Sequence, residues 1–165
     1  MLGSGQVKRL SIIPSVLTVV LATYSAPAHA QFYIGGGYGH TFARRATPGY
    51  TPNVAFFIEV ESPDVPLGVR FEGNETISIF FLTANVTYAF GSRGAQFRPY
   101  LVGGFGAAIG YFELGYTLNA GGGLRFRYPN SKLDLFAETR VFRLVKVNES
   151  RHTIAPVTVG VRLGF

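Results

Sequence analysis

The thirteen residues Thr153–Phe165, TIAPVTVGVRLGF, decide the fold. Val157, Val159, Val161, Leu163 and Phe165 take every second position, with Thr158, Gly160, Arg162 and Gly164 between them. Strict period-two alternation gives an extended strand one wholly apolar face and one polar or small face. A tilted strand of roughly 9–11 residues is long enough to cross a bilayer. In water such an edge would template aggregation. In lipid it can form a wall, provided the sheet closes on itself and leaves no backbone group unpaired.

The same period recurs upstream. It predicts strands at 31–42, 53–61, 67–73, 77–90, 98–112, 117–127 and 132–144, with 153–165 as the eighth. Gly, Pro, Ser, Asn and Arg fill the intervals at 43–52, 62–66, 74–76, 91–97, 113–116, 128–131 and 145–152, which read as loops and turns. The outward set includes Phe56, Ile58, Val69, Phe71, Leu82, Val86, Leu118, Leu124, Leu135 and Val141. In the Gly-rich fifth strand, Leu101, Phe105, Ala107, Ile109 and Tyr111 are placed outward, because the other register would offer mostly Gly and Ala to lipid. Eight strands is an even number, as single-chain bacterial transmembrane barrels have. The expected fold is therefore all-β: an eight-stranded antiparallel up-and-down transmembrane β-barrel. Only the outer loops at 43–52 and 145–152 have any length, so an elaborate loop-borne function is not expected.

The amino-terminal segment reads as a secretory signal. Lys8 and Arg9 precede the mostly apolar run Leu10–Thr23, and Ala28-His29-Ala30 forms an A-x-A site. The apolar run is shorter than the roughly 20 residues of a spanning helix, and Pro14 interrupts it. Residues 1–30 are thus expected to be cleaved, leaving a single barrel domain at 31–165. Without Lys8 and Arg9, 13 of the 15 Lys and Arg remain against 9 Asp and Glu, a net charge of +4. These charges are dispersed through alternating segments, which argues against a nucleic-acid partner. The chain has no Cys, so disulfides and thiolate metal sites are ruled out.

The charges on the lumen-facing positions are the most informative set. Glu59, Glu72, Asp134 and Glu138 oppose Arg70, Arg125, Arg127, Arg140 and Arg162. Lone charges in a narrow lumen would be very unfavourable, whereas mixed charges can pair and hydrogen-bond one another. An eight-stranded barrel is just wide enough for side chains to fill. A solid polar core is the expectation, with a narrow ion or solute path as the alternative. The turn at 62–66 should set Glu61 opposite Gly68 and Glu59 opposite Arg70, and Arg162 is expected beside Phe136.

Catalysis needs a nucleophile with a base, or a metal cluster. Beyond residue 30 only His40 and His152 occur, with no matching Ser or acidic spacing, so neither catalytic nor metal-ligating residues are assigned and no cofactor is expected. Gly35-Gly36-Gly37 and Gly103-Gly104-Phe105-Gly106 lie within strands with no following helix, which excludes a phosphate loop. Arg44, Arg45, Arg143, Lys146 and Arg151 would ring the outer rim, where guanidiniums suit lipopolysaccharide phosphates.

Phe32-Tyr33-Ile34-Gly35, Arg98-Pro99-Tyr100-Leu101 with the alternating Gly after it, and Leu118–Leu124 carry a family resemblance. With Phe165, they make the chain similar to the outer membrane protein A-like barrel family. That resemblance implies residence among the lipids of a diderm bacterium's outer membrane, as a monomer with a structural or surface-interaction role. Val157, Val159, Val161, Leu163 and Phe165 resemble the carboxy-terminal signal that the barrel assembly machinery reads in such proteins. The larger members continue into a peptidoglycan-binding domain, which has no counterpart in 31–165. A soluble lipocalin-like carrier would share the alternation with its faces exchanged.

Overall fold

The computed structural model describes residues 30–43, 51–76, 79–110, 113–146 and 151–165, and for 43, 113, 145, 146, 151 and 152 the backbone alone. The segment read as a signal peptide lies outside the described residues. Eight strands follow in order: β1 Gln31–Ala43, β2 Thr51–Glu61, β3 Leu67–Thr76, β4 Ile79–Ala89, β5 Phe97–Gly110, β6 Glu113–Arg127, β7 Leu133–Lys146 and β8 Arg151–Gly164. Each pairs antiparallel with the next, and β8 pairs with β1, so the sheet is a closed up-and-down barrel. Closure removes both sheet edges, which is what lets a sheet stand in hydrocarbon.

Alternation along each strand sorts the side chains. Phe56, Leu82, Leu101, Leu118, Val159 and Leu163 point out and are exposed, while Phe57, Thr83, Tyr100, Asn119, Thr158 and Arg162 point in and are buried. Apolar outside and polar inside is the inverse of a soluble carrier. The fifth strand takes the expected face: Leu101, Phe105 and Ile109 are exposed, and Tyr100, Val102 and Ala108 are buried.

The outer connections are shorter than read from the sequence: β1 and β2 take Ala43, Thr51 and Pro52 from the loop read at 43–52, and β7 and β8 take 145, 146, 151 and 152 from the loop read at 145–152. The other two outer connections also differ. Residues 74–76 are not a turn, because β3 continues through Thr76, which pairs with Asn53 on one side and Ile79 on the other. Asn74 and Thr76 are buried toward the lumen. Polar residues that signal a turn in a soluble protein are ordinary inward residues here. Likewise 113–116 belongs to β6, where Leu114 and Tyr116 face out and Gly110 pairs with Glu113.

The end of the barrel holding the start of β1 and the finish of β8, here the near end, carries the turns 62–66, 90–96 and 128–132. Asn130 supplies the left-handed residue of the last turn, with φ of 54°, a conformation Asn tolerates better than most side chains. Pairing at the first turn is as expected, with Glu61 opposite Gly68 and Glu59 opposite Arg70. Between β7 and β8 it is not. Arg162 stands opposite Asp134, and Phe136 opposite Gly160, two residues from the expected position. A two-residue slip keeps every side chain on its face, so alternation cannot detect it.

Candidate functional site

The near half of the lumen is filled by one charge network to which all eight strands contribute. Glu59 on β2 is at its centre. Its Oε2 accepts from Arg70 Nε at 3.2 Å, Arg70 Nη2 at 3.0 Å and Arg162 Nη1 at 3.3 Å, and its Oε1 from Arg125 Nη2 and Thr87 Oγ1, both at 2.7 Å. Arg70 also donates to Glu138 at 2.8 Å. Arg162 Nε donates to Asp134 at 2.9 Å, and the other Asp134 oxygen accepts from Arg127 Nε at 3.1 Å. Arg140 donates to both Glu138 and Glu72. All nine charged residues assigned to the lumen from sequence are thus brought into one connected set.

Aromatic rings serve as shelves for the guanidiniums. Arg162 lies 3.8 Å from the Tyr33 ring centroid, Arg125 4.2 Å from Tyr100 and Arg70 4.1 Å from Phe57. A delocalised guanidinium stacks on a ring while keeping its in-plane donors for carboxylates, which is why Arg and not Lys suits this lumen. Two glycines make room for the shelves. A Cβ at Gly35 would be 2.3 Å from the Phe57 ring, and one at Gly123 would be 2.8 Å from the Tyr100 hydroxyl. The Tyr100 hydroxyl donates to Glu138 at 2.6 Å.

Four further residues join the network. Glu61 accepts from Arg162 at 2.7 Å and also from Arg125. Arg98 lies 3.6 Å from Glu61, Thr87 donates to Glu59, and the Tyr33 hydroxyl accepts from Arg127 at 3.2 Å. Glu61 and Arg98 are the turn-side end residues of the strands expected at 53–61 and 98–112, and are not among the lumen charges assigned from sequence. Strand parity was the available signal, since Glu61 shares its face with Glu59, and Arg98 with Tyr100 and Val102.

The far half is built differently. Phe81, Ala108, Phe142, Leu144 and Ile154 form an apolar cluster, with the Phe81 and Phe142 rings 5.0 Å apart across the lumen. Thr41, Asn53, Asn74 and Thr117 are also buried there, and each has a side-chain oxygen without a hydrogen-bond partner.

The remaining sequence-assigned residues lie apart from the lumen. Val157, Val159, Val161, Leu163 and Phe165 are all exposed on the outer wall. Arg143 is exposed near the far end of β7. Lys146 and Arg151 end β7 and begin β8 beside the 147–150 connection, while Arg44 and Arg45 lie outside the described residues. Among the described residues no group of His, Asp and Glu is placed to hold a metal ion.

A closed eight-stranded wall, apolar outside and charged inside, defines a class: the fold is that of the small outer-membrane β-barrels. Three solved structures show it in particular. Neisserial surface protein A matches with a TM-score of 0.63 at 14% identity, over 82% of this chain and 97% of that one. The N-terminal β-barrel domain of Pseudomonas aeruginosa OprF matches with a TM-score of 0.57 at 16% identity, over 81% and 97%. The outer membrane enzyme PagL matches with a TM-score of 0.51 at 11% identity, over 79% and 98%. No family model matches the chain, and no curated protein matches it either.

Proposed function

We propose that the chain is an integral protein of a diderm bacterium's outer membrane, a closed, non-catalytic barrel with a structural or surface-interaction role. The lumen network supports this reading: five buried carboxylates and five buried guanidiniums fill the near half side chain to side chain. The likeness to Neisserial surface protein A supports a surface location. PagL shows that the same fold can also carry an enzyme, so the non-catalytic part rests on the residues themselves. Arg143, exposed near the far end of β7, is the described member of the rim set offered to lipopolysaccharide phosphates.

The test of closure is conductance. Refolded protein in planar bilayers should show no steady current, and incubation with phospholipid or lipopolysaccharide should release no acyl chain. The second reading is a narrow solute path, favoured by the unpartnered oxygens of Thr41, Asn53, Asn74 and Thr117 in the far half. A reproducible ion-selective open state would establish it in place of the first. Cell fractionation with heat-modifiable gel mobility checks the location. Phe165→Asp should sharply lower the amount of folded protein in the membrane if the outward face of β8 is the assembly signal.

A further inference from the structure

Charge is scarce on the outer wall. Among the strand residues whose side chains are described, Glu75 on β3 and Arg143 on β7 are the acidic and basic groups that face outward and are exposed. They stand four strands apart in an eight-stranded closure, on opposite sides of the barrel, so neither neutralises the other. Arg143 makes no ion pair and no side-chain hydrogen bond with any described residue. A guanidinium on a lipid-facing wall is strongly unfavourable at mid-membrane and is tolerated toward the interface, where its long stem brings the charge to the headgroups.

The neighbours of Arg143 are of two kinds. It stands opposite Leu118 on β6 and Thr153 on β8. Tyr116, two residues from Leu118 toward the far end, lies diagonal to it, within reach of long side chains. Arg143, Thr153 and Tyr116 are all exposed, so a guanidinium and two hydroxyls share one patch of outer wall. Toward the near end the next outward positions on the same three strands are Leu118, Val141 and Ala155, all apolar. A free phosphate would engage only the polar side of this patch. A phosphorylated lipid engages both, with its phosphate on the guanidinium and its acyl chains on the apolar wall.

We propose, resting on the outer-membrane reading given above, that this patch binds one phosphorylated lipid of the lipopolysaccharide class. Arg143 holds a phosphate group, the Thr153 and Tyr116 hydroxyls donate to it from either side, and the acyl chains lie over Leu118, Val141 and Ala155. Arg suits this place better than Lys because its planar fork grips two phosphate oxygens at once.

Diphosphoryl lipid A is the probe. The refolded chain in neutral detergent micelles is titrated with it, and protein–lipid adducts are counted by native mass spectrometry at equal folded band on a heat-modifiable gel. One saturating adduct is expected. Arg143→Gln should raise its half-saturation roughly fivefold, as the loss of one basic side chain beside an anionic headgroup does. Lys132→Gln, which removes the same charge from the exposed near-end turn, should leave it unchanged. Inorganic phosphate at the same concentration should not compete. Equal losses in the two variants, or no loss in Arg143→Gln, would overturn the site, and competition by inorganic phosphate would overturn the lipid as its occupant. The assay does not depend on where the chain resides. Outer-membrane fractionation with lipid A bound equally by Arg143→Gln would therefore sink the site alone, whereas Arg143-dependent binding by a chain absent from the outer membrane would sink the location reading alone.

Discussion

The two halves of the lumen solve the same problem by opposite means. Both must fill a tube of fixed width with inward side chains. The near half does so with charges whose partners are shared: Glu59 alone serves Arg70, Arg125 and Arg162. The far half divides its cross-section, with Phe81, Phe142, Leu144 and Ile154 packed together and Thr41, Asn53, Asn74 and Thr117 left incompletely hydrogen-bonded. Near-half energetics should therefore be collective and far-half energetics local. The physical reason is range: a buried charge acts on every neighbour, whereas a ring in van der Waals contact acts only on what it touches.

The largest expected effect tests the collective half. Glu59→Ala leaves three guanidiniums short of a partner and should destabilise by ~3–5 kcal/mol, the usual consequence of breaking a buried pair. Arg70→Ala should destabilise comparably. The double variant should lose less than the sum, because each single change strands the other partner. It should still fall well short of full recovery, since Arg125 and Arg162 also lose Glu59 as a partner. Urea midpoints of folding into micelles, combined in a double-mutant cycle, measure this. Strict additivity would mean that the pair at 3.0 Å is not coupled.

The next effect tests locality. Phe142→Leu removes part of a ring that is 1% exposed and packed against Phe81, and should lower stability by about 1–2 kcal/mol. Combined with Arg70→Ala, the two changes should add within about 0.5 kcal/mol, as separated sites do. Coupling larger than that would show that the halves are not independent, despite Arg140 lying 5.9 Å from the Phe142 ring.

The same contrast explains what could be read in the sequence. Alternation assigned the faces of all eight strands and so the nine charges of the network, because a closed barrel converts parity directly into lumen or lipid. It could not assign partners across the lumen. Phe81 on β4 and Phe142 on β7 meet through a circular closure that no local pattern records. Nor could it fix the β7–β8 register, where the intervening connection leaves a slip of two residues silent. Glu61 and Arg98 escaped for a different reason. Each borders a turn, so alternation is visible on only one side of it.

The smallest expected change concerns a fault in the far half of the wall. The β7–β8 ladder runs from Leu133↔Leu163 to Thr139↔Val157 and resumes at Phe142↔Ile154, with a lapse at Arg140 and Val141. Pro156 stands in that lapse, while the β1–β8 ladder on its other side runs unbroken from Tyr33 to Ala43. Proline has no N–H to give, and a closed barrel offers no edge strand on which to place it. The Pro156 carbonyl is met instead by the Thr139 hydroxyl at 3.3 Å. Pro156→Ala restores a donor, worth roughly 0.5–1.5 kcal/mol, and gives back unfolded-state freedom worth roughly 0.4–1 kcal/mol in the other direction. The midpoint of unfolding should therefore move little. Hydrogen exchange should move more, because the amides of Arg140 and Val141 lie where the ladder lapses and would gain a continuous neighbour. Slower exchange at those two amides, with the near-half amides unchanged, is the expected result. Unchanged exchange at Arg140 and Val141 would mean that the lapse has another cause than the missing N–H.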